Sequence, residues 1–271
     1  MAPQRQPQLA YSEQMDLMLD EQHRRAKARK LLSVLRHFLG RDDLDGLRVA
    51  DVGCSAGFIA DEVAGAGGRS IGIDIDEPGL AKASQRFGDR VLFVQAEGDR
   101  LPLRDGSVDV IVFNHIYEHV VDPDAVVREL HRVLADDGAA YLGLGNRFGV
   151  MEPHHRLPFL SWLPPSLGDR YVQVTGRSDQ YYERLKSRRA LRRLVQGFNL
   201  WEYTFSIVRE PQRFDSAADV PGMVSAAPEA MLRLLQPIMP TYIWVATKGS
   251  GRPAGPALRT PPRPVRVDRP R

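Results

Sequence analysis

The chain has 271 residues, is 43% hydrophobic and 26% charged, and carries a formal charge of +3 with a single cysteine, Cys54. Those proportions suit a globular fold with apolar material for a sizeable core. One thiol excludes a disulfide scaffold and a zinc site built on several thiolates, and no window approaches the ~20 apolar residues of a membrane span. The charge is uneven: residues 249–271 hold six Arg and one Asp, leaving the first 248 residues at −2. A broad basic face for nucleic acid is therefore not expected. The N-terminal stretch lacks the apolar core of a signal peptide, so a cytoplasmic protein is expected.

Residues 1–10 read as a loose arm within an N-terminal helical segment, 1–40, whose apolar residues recur at three- and four-residue steps between positions 13 and 38. Residues 41–248 predict one domain. Strands at 47–52, 70–74, 91–95, 108–113 and 139–144 alternate with helices at 58–64, 78–87 and 125–134. Short apolar strands alternating with helices predict an α/β fold, a doubly wound and mostly parallel sheet covered on both faces. The rhythm changes after Gly145. Residues 147–177 are proline-punctuated and aromatic, and begin an insertion that runs to about 195. Its position after the fifth strand predicts an acceptor wall or lid, carried by Phe148, Phe159, Trp162, His154 and His155. A basic helix is expected over 179–195, with Arg184, Lys186, Arg188, Arg189, Arg192 and Arg193 on a solvated face or gripping an anionic substrate or membrane surface. Strands follow at 200–208 and 242–247, with a helix near 228–235. The Pro- and Arg-rich tail, 249–271, reads as disordered and dispensable.

The stretch Val49-Ala50-Asp51-Val52-Gly53-Cys54-Ser55-Ala56-Gly57 carries the chemistry. A strand ends in an acid, a glycine turn follows, and a helix begins. Such a turn lets a ligand approach backbone N–H groups. The spacing is not the G-x-G-x-x-G of a pyrophosphate site. Asp51 suits a cationic group, and Asp74, ending the second strand, stands where a ribose diol is gripped. Cys54 reads as a buried filler of the turn. Two acids and a glycine turn describe a nucleoside with a cationic tail and no phosphate, as in S-adenosylmethionine.

VADVGCSAGFIADEVA, IGIDIDEPGLAKA and the run from QAEGDRLPLRDGSVDVIVFNHIYEH to LGLGN resemble, in order, the motifs of class I S-adenosylmethionine-dependent methyltransferases of the small-molecule, ubiquinone type. The resemblance covers about residues 45–146. It implies a seven-stranded Rossmann-like sheet ordered 3-2-1-4-5-7-6, with strand seven antiparallel. It also implies a cofactor site made of Asp51, Gly53, Cys54 and Gly57 in the loop, Asp74 on the ribose, and Ile75 against the adenine. Glu97 and Gly98 fall beside the adenine amine, and Asn114 by the methionine moiety. Ser55 stands where the family usually has glycine and Glu97 where it usually has Asp, with Asp99 close enough to compete.

Methyl transfer needs a base only if the acceptor must lose a proton. His119, in the loop after the fourth strand, and His154 and His155, in the insertion, are the candidates, with His115 beside them. Adjacent histidines point apart, so Glu152, His154 and His155 are not read as a metal site, and no metal is expected. The expected function is methylation, on oxygen, of a small and partly apolar metabolite, lipid or glycan precursor, with peripheral membrane contact open. A methyltransferase-like scaffold with a degenerate site remains an alternative. A nucleic-acid methyltransferase is a further one, disfavoured by the −2 core and by NHIYEH in place of an Asn/Asp-Pro-Pro-aromatic pattern.

Overall fold

The computed structural model describes residue 9 and residues 20–266. The chain runs α1 (Glu21–Leu39), β1 (Arg48–Val52), α2 (Phe58–Gly65), β2 (Arg69–Asp74), α3 (Glu77–Phe87), β3 (Leu92–Gln95), β4 (Val108–Asn114), α4 (Pro123–Val133) and β5 (Leu134–Gly145). It continues through β6 (Met151–Glu152), β7 (Leu157–Pro158), α5 (Pro165–Val174), α6 (Arg188–Leu194), β8 (Asn199–Glu202) and α7 (Thr204–Arg209). The last elements are α8 (Gly222–Ala226), α9 (Glu229–Leu234), β9 (Thr241–Thr247) and β10 (Arg263–Val265).

Helix starts follow their caps. Asp20, Asp76 and Asp122 accept from the backbone N–H groups of His23, Gly79 and Ala125, and α3 and α4 carry proline in the first turn. Each such cap is worth about 1 kcal/mol. The eight-stranded sheet has the order β3-β2-β1-β4-β5-β9-β8-β10. Strands β1 to β5 are parallel, whereas β9 runs antiparallel to β5 and β8. With β8 and β9 as strands six and seven, this is the expected order plus one further strand. Alternate residues of β4 feed two cores: Ile111 and Phe113 pack with Leu130 and Leu191, while Val110 and Val112 pack with Leu31 and Ile59. Helices thus cover both faces. Among the described residues no helix is long and apolar enough to cross a membrane.

Three expectations fail. The helix over 179–195 is confined to Arg188–Leu194, because Ser187 caps it there and the preceding residues are drawn into tertiary contacts. Glu183 is buried beside His155, and Lys186 bridges Asn146. The strand over 200–208 stops at Glu202. The Thr204 hydroxyl accepts from Ile243 N–H at 2.9 Å and turns the chain into α7, whose Phe205 and Ile207 are buried. The tail is not disordered over 250–266. Ala254 N–H donates to Phe38 O, Gly255 N–H to His37 O, and β10 pairs with β8. Leu258 and Val265 are buried there, so a few apolar residues suffice where an open sheet edge supplies partners. Residues 1–8, 10–19 and 267–271, which hold nearly all of the expected loose arm and parts of the expected N-terminal helical segment and tail, lie outside the described residues.

Candidate functional site

The turn between β1 and α2 lies at the point where the sheet order reverses. Gly53 has φ +84°, and a Cβ there would come 2.2 Å from Ile116 Cδ1. Gly57 has φ +77°, and its Cβ would come 2.7 Å from Phe93 Cζ. Both positions therefore require glycine. Ser55 itself adopts φ +47° and donates its N–H to Asp74 Oδ2 at 2.6 Å, while Asp74 Oδ1 accepts from Asp76 N–H at 2.9 Å. The acid that ends β2 thus braces the turn that begins α2. Burial raises its pKa above the ordinary range.

Beside this turn opens a cavity of about 980 Å³, lined by Gly53, Ser55, Asp74, Ile75, Glu97, Gly98, Asp99 and Asn114. Three expected members of the cofactor group do not line it. Gly57 opens α2 against Phe93 and Ala83. Cys54 is buried beside Gly72, where burial pushes its thiol well up and leaves it unreactive. Asp51 lies beneath the turn, accepting from Ala60 N–H, with Oδ2 buried and without a hydrogen-bond partner among the described residues. Burial pushes its carboxyl up to about 7, against the pull of Arg24.

The same cavity is lined by His115, His119 and His154, but not by His155. His154 is brought to His119 by the turn between β6 and β7, with the two Nε2 atoms 3.2 Å apart. Its Nδ1 lies 2.7 Å from Glu152 Oε1. A carboxylate only accepts, so Nδ1 carries a proton, and a contact between two ring nitrogens requires one proton between them. Burial works against charge on His154. The hydrogen bond to Glu152 and the charges of Glu183, Glu152 and Glu118 outweigh it and push the pKa up to about 9. His155, the next residue of the same turn, meets different partners, with Nε2 3.2 Å from Glu183 Oε2 and its ring edge-on to Tyr181. Burial opposes charge on Glu183, but the His155 hydrogen bond and the neighbouring histidines bring it down to about 2. Below His119, the His115 Nδ1 meets the fully buried Glu118 at 3.1 Å. Glu118, His119 and His154 also offer three ligand atoms within 4.8 Å of one another, a set that could hold a metal ion.

Two walls were missed in the sequence. Helix α1 contributes His23, Arg24, Lys27 and Lys30, and residues 219–221, Val224 and 239–241 supply a further part of the lining. Asn146 pins the latter, donating from Nδ2 to Pro237 O and Met239 O, each at 2.8 Å. The expected wall supplies only Met151, Pro153, His154 and Arg156. Phe148 and Phe159 instead stack edge-on against Trp162, outside the cavity, where the Trp162 indole N–H donates to Gly149 O at 3.0 Å. The spacing of Arg24, Lys27 and Lys30 was the signal for α1. Glu152 was weighed only as a metal ligand with His154 and His155, and nothing local marked Glu118 or Glu183.

A doubly wound sheet with a glycine turn and a braced acid at its switch point defines an α/β protein built to bind a nucleoside-like ligand. Comparison with known proteins narrows the class. Residues 50–142 match the family model described as a methyltransferase domain. A Mycobacterium tuberculosis protein named as an S-adenosylmethionine-dependent methyltransferase is 38% identical over 99 residues, 36% of this chain and 36% of that one. The ubiquinone biosynthesis O-methyltransferase of Xanthomonas oryzae is 33% identical over 118 residues, 42% of this chain and 49% of that one. The match thus spans less than half the length of these curated relatives. In structure, the chain is similar to an S-adenosylmethionine-dependent methyltransferase of Mesorhizobium loti, with TM-score 0.53, 19% identity, and coverage of 79% of this chain and 95% of that one. It is also similar to a chain in the complex between the Haloferax volcanii Trm112 methyltransferase activator and a methyltransferase, with TM-score 0.53, 16% identity, and coverage of 86% and 96%. At these identities the likeness is one of fold. Residues 50–142 thus match a methyltransferase domain, and the relative's name gives the cofactor of that class as S-adenosylmethionine.

Proposed function

We propose that this chain transfers a methyl group from S-adenosylmethionine to an oxygen of a small, partly apolar acceptor, in the class of metabolites and lipid or glycan precursors. One observation carries this reading: the glycine turn with Asp74 and the His119–His154 pair open into one cavity of about 980 Å³. The residues fit the cofactor. Gly53 presents bare backbone to the cavity, Asp74 faces it, and Asp51 lies under the turn with Oδ2 lacking a hydrogen-bond partner among the described residues. Asp74 would take the ribose hydroxyls, Ile75, Glu97 and Gly98 the adenine, and Asn114 the methionine moiety.

The bound cofactor supplies an electrophilic methyl on a sulfonium. The chain orients an acceptor hydroxyl and takes its proton. Glu152 fixes the His154 ring, and the proton of the acceptor hydroxyl passes to the His119–His154 pair. The acceptor is a cytoplasmic small molecule, not a nucleic acid. The test follows S-adenosylhomocysteine release over a panel of hydroxylated acceptors. Turnover that falls at least ~100-fold in His154→Ala, with cofactor affinity kept, supports the reading. A wild-type chain that binds no S-adenosylhomocysteine overturns it.

The approach of Glu118, His119 and His154 to within 4.8 Å favours a second reading, in which a divalent ion held there orients the acceptor oxygen. Turnover abolished by a chelator and restored by one divalent metal selects it over the base.

A further inference from the structure

Helix α1 lays Arg24, Lys27 and Lys30 along one cavity wall, at the three-residue spacing that keeps side chains on one face. Each meets different charges. Arg24 acts on Asp51, under the cofactor turn. Lys30 is engaged, with Nζ 2.8 Å from Asp219 Oδ2. Lys27, between them, acts on His115 and is drawn toward Glu118 and Asp219, yet makes no hydrogen bond or ion pair among the described residues. It is half-buried, and burial together with Arg24 and Lys30 brings its ammonium down to about 8. A half-buried cation facing a cavity, with its nearest acids engaged elsewhere, has a desolvation cost that an incoming anion offsets.

We propose that Lys27 is the anion-binding residue of the acceptor subsite, pairing with a carboxylate or phosphate of the acceptor while the acceptor hydroxyl meets His119 and His154. This rests on the methyltransferase reading and narrows its acceptor to an organic anion with an apolar body. Val120, Ile207, Val220, Val224, Met239 and Ile243 line the rest of the cavity and suit that body. The cofactor's own carboxylate is the competing anion. Arg24, which acts on Asp51, is the α1 cation toward the turn, whereas Lys27 acts on the histidine side.

The test is calorimetry on the full chain loaded with S-adenosylhomocysteine, titrated with benzoate, phenyl phosphate and neutral benzamide. At least one anion binds once per chain, roughly tenfold tighter than benzamide, and the tighter one identifies the group. Lys27→Met removes that preference, Lys27→Arg keeps it, and S-adenosylhomocysteine affinity stays within about twofold in both. Lys27→Gln serves if the methionine variant fails to fold. A loaded chain that takes up neither anion overturns the proposal. So does a preference retained in Lys27→Met, or a loss of cofactor affinity that assigns Lys27 to the cofactor carboxylate. Failure of the wild-type chain to bind S-adenosylhomocysteine defeats the methyltransferase reading separately, and the same titrations on the unloaded chain then still decide Lys27.

Discussion

Glu152 holds His154 at two points, accepting from the ring Nδ1 at 2.7 Å through Oε1 and from the backbone N–H at 2.9 Å through Oε2. One carboxylate thereby fixes the turn and the imidazole together. It also helps to raise His154 to about 9, so at neutral pH the pair with His119 is largely protonated. As a base it acts only after losing that proton, so kcat/KM should rise with pH through an inflection near 9 and level off above it. In Glu152→Gln the rise should move to lower pH and the plateau should fall. A pH profile of both proteins checks this, and an unmoved inflection removes His154 from the reaction. The inflection belongs to the coupled pair and not to either ring alone.

The Asp74 carboxylate both braces Ser55 N–H and faces the cavity. Asp74→Ala should weaken S-adenosylhomocysteine binding by on the order of 1–3 kcal/mol, since the ribose hydroxyls lose their partner. Calorimetry with a parallel melting curve separates that loss from unfolding.

Stability should depend on pH through two groups with opposite signs. Glu183 is lowered to about 2, so its contribution is full above 4.5 and is lost as pH falls toward 2. His154 is raised from 6.5 to about 9, so its contribution is full below 6.5 and is lost as pH rises through 9. Denaturant midpoints across pH should therefore fall on both sides. Glu183→Gln should flatten the acid side, and His154→Ala the alkaline side.

Truncation after Gly249 should lower the melting temperature by roughly 5 °C or more. It removes β10, the buried Leu258 and Thr260, and the Thr260 carbonyl that accepts from the Ser206 hydroxyl at 2.7 Å. An unchanged melting temperature would show that these contacts contribute nothing.

Asn146→Ala should loosen the wall it pins, leaving the Pro237 and Met239 carbonyls without their side-chain donor. Acceptor KM should rise several-fold while cofactor affinity changes little, because the glycine turn lies elsewhere. Separate binding and turnover measurements test this, and equal losses in both would mean general destabilisation.

The sheet and the cofactor turn were legible because their signals are local. Apolar runs such as Val108–Asn114 and the glycines at 53 and 57 state their geometry within a few residues. The base cluster was legible only in part. His119 and His154 stood out by residue type, and Glu118 and Glu152 lie within three residues of the histidines they bond, but only the fold brings Glu183 to His155 and His154 to His119. The tail misled because composition was weighed without the edge of β8 that receives it. Residues 179–195 read as one basic helix for a similar reason: charge was counted, while Glu183 and Lys186 are committed to partners outside the segment.

Strand β10 has a consequence for self-association. Without it, β8 would offer an open row of backbone donors and acceptors to any strand from another molecule. With it, the outermost strand has three residues, the middle one Pro264, which has no N–H to give, flanked by the exposed charge of Arg263. That side of the sheet is a poor template for intermolecular growth. Among the described residues the opposite border is β3, four residues long with Leu92 64% exposed. Fibrillar or strand-swapped association of this chain is therefore directed to the β3 border, and loss of the last strand would open a second one.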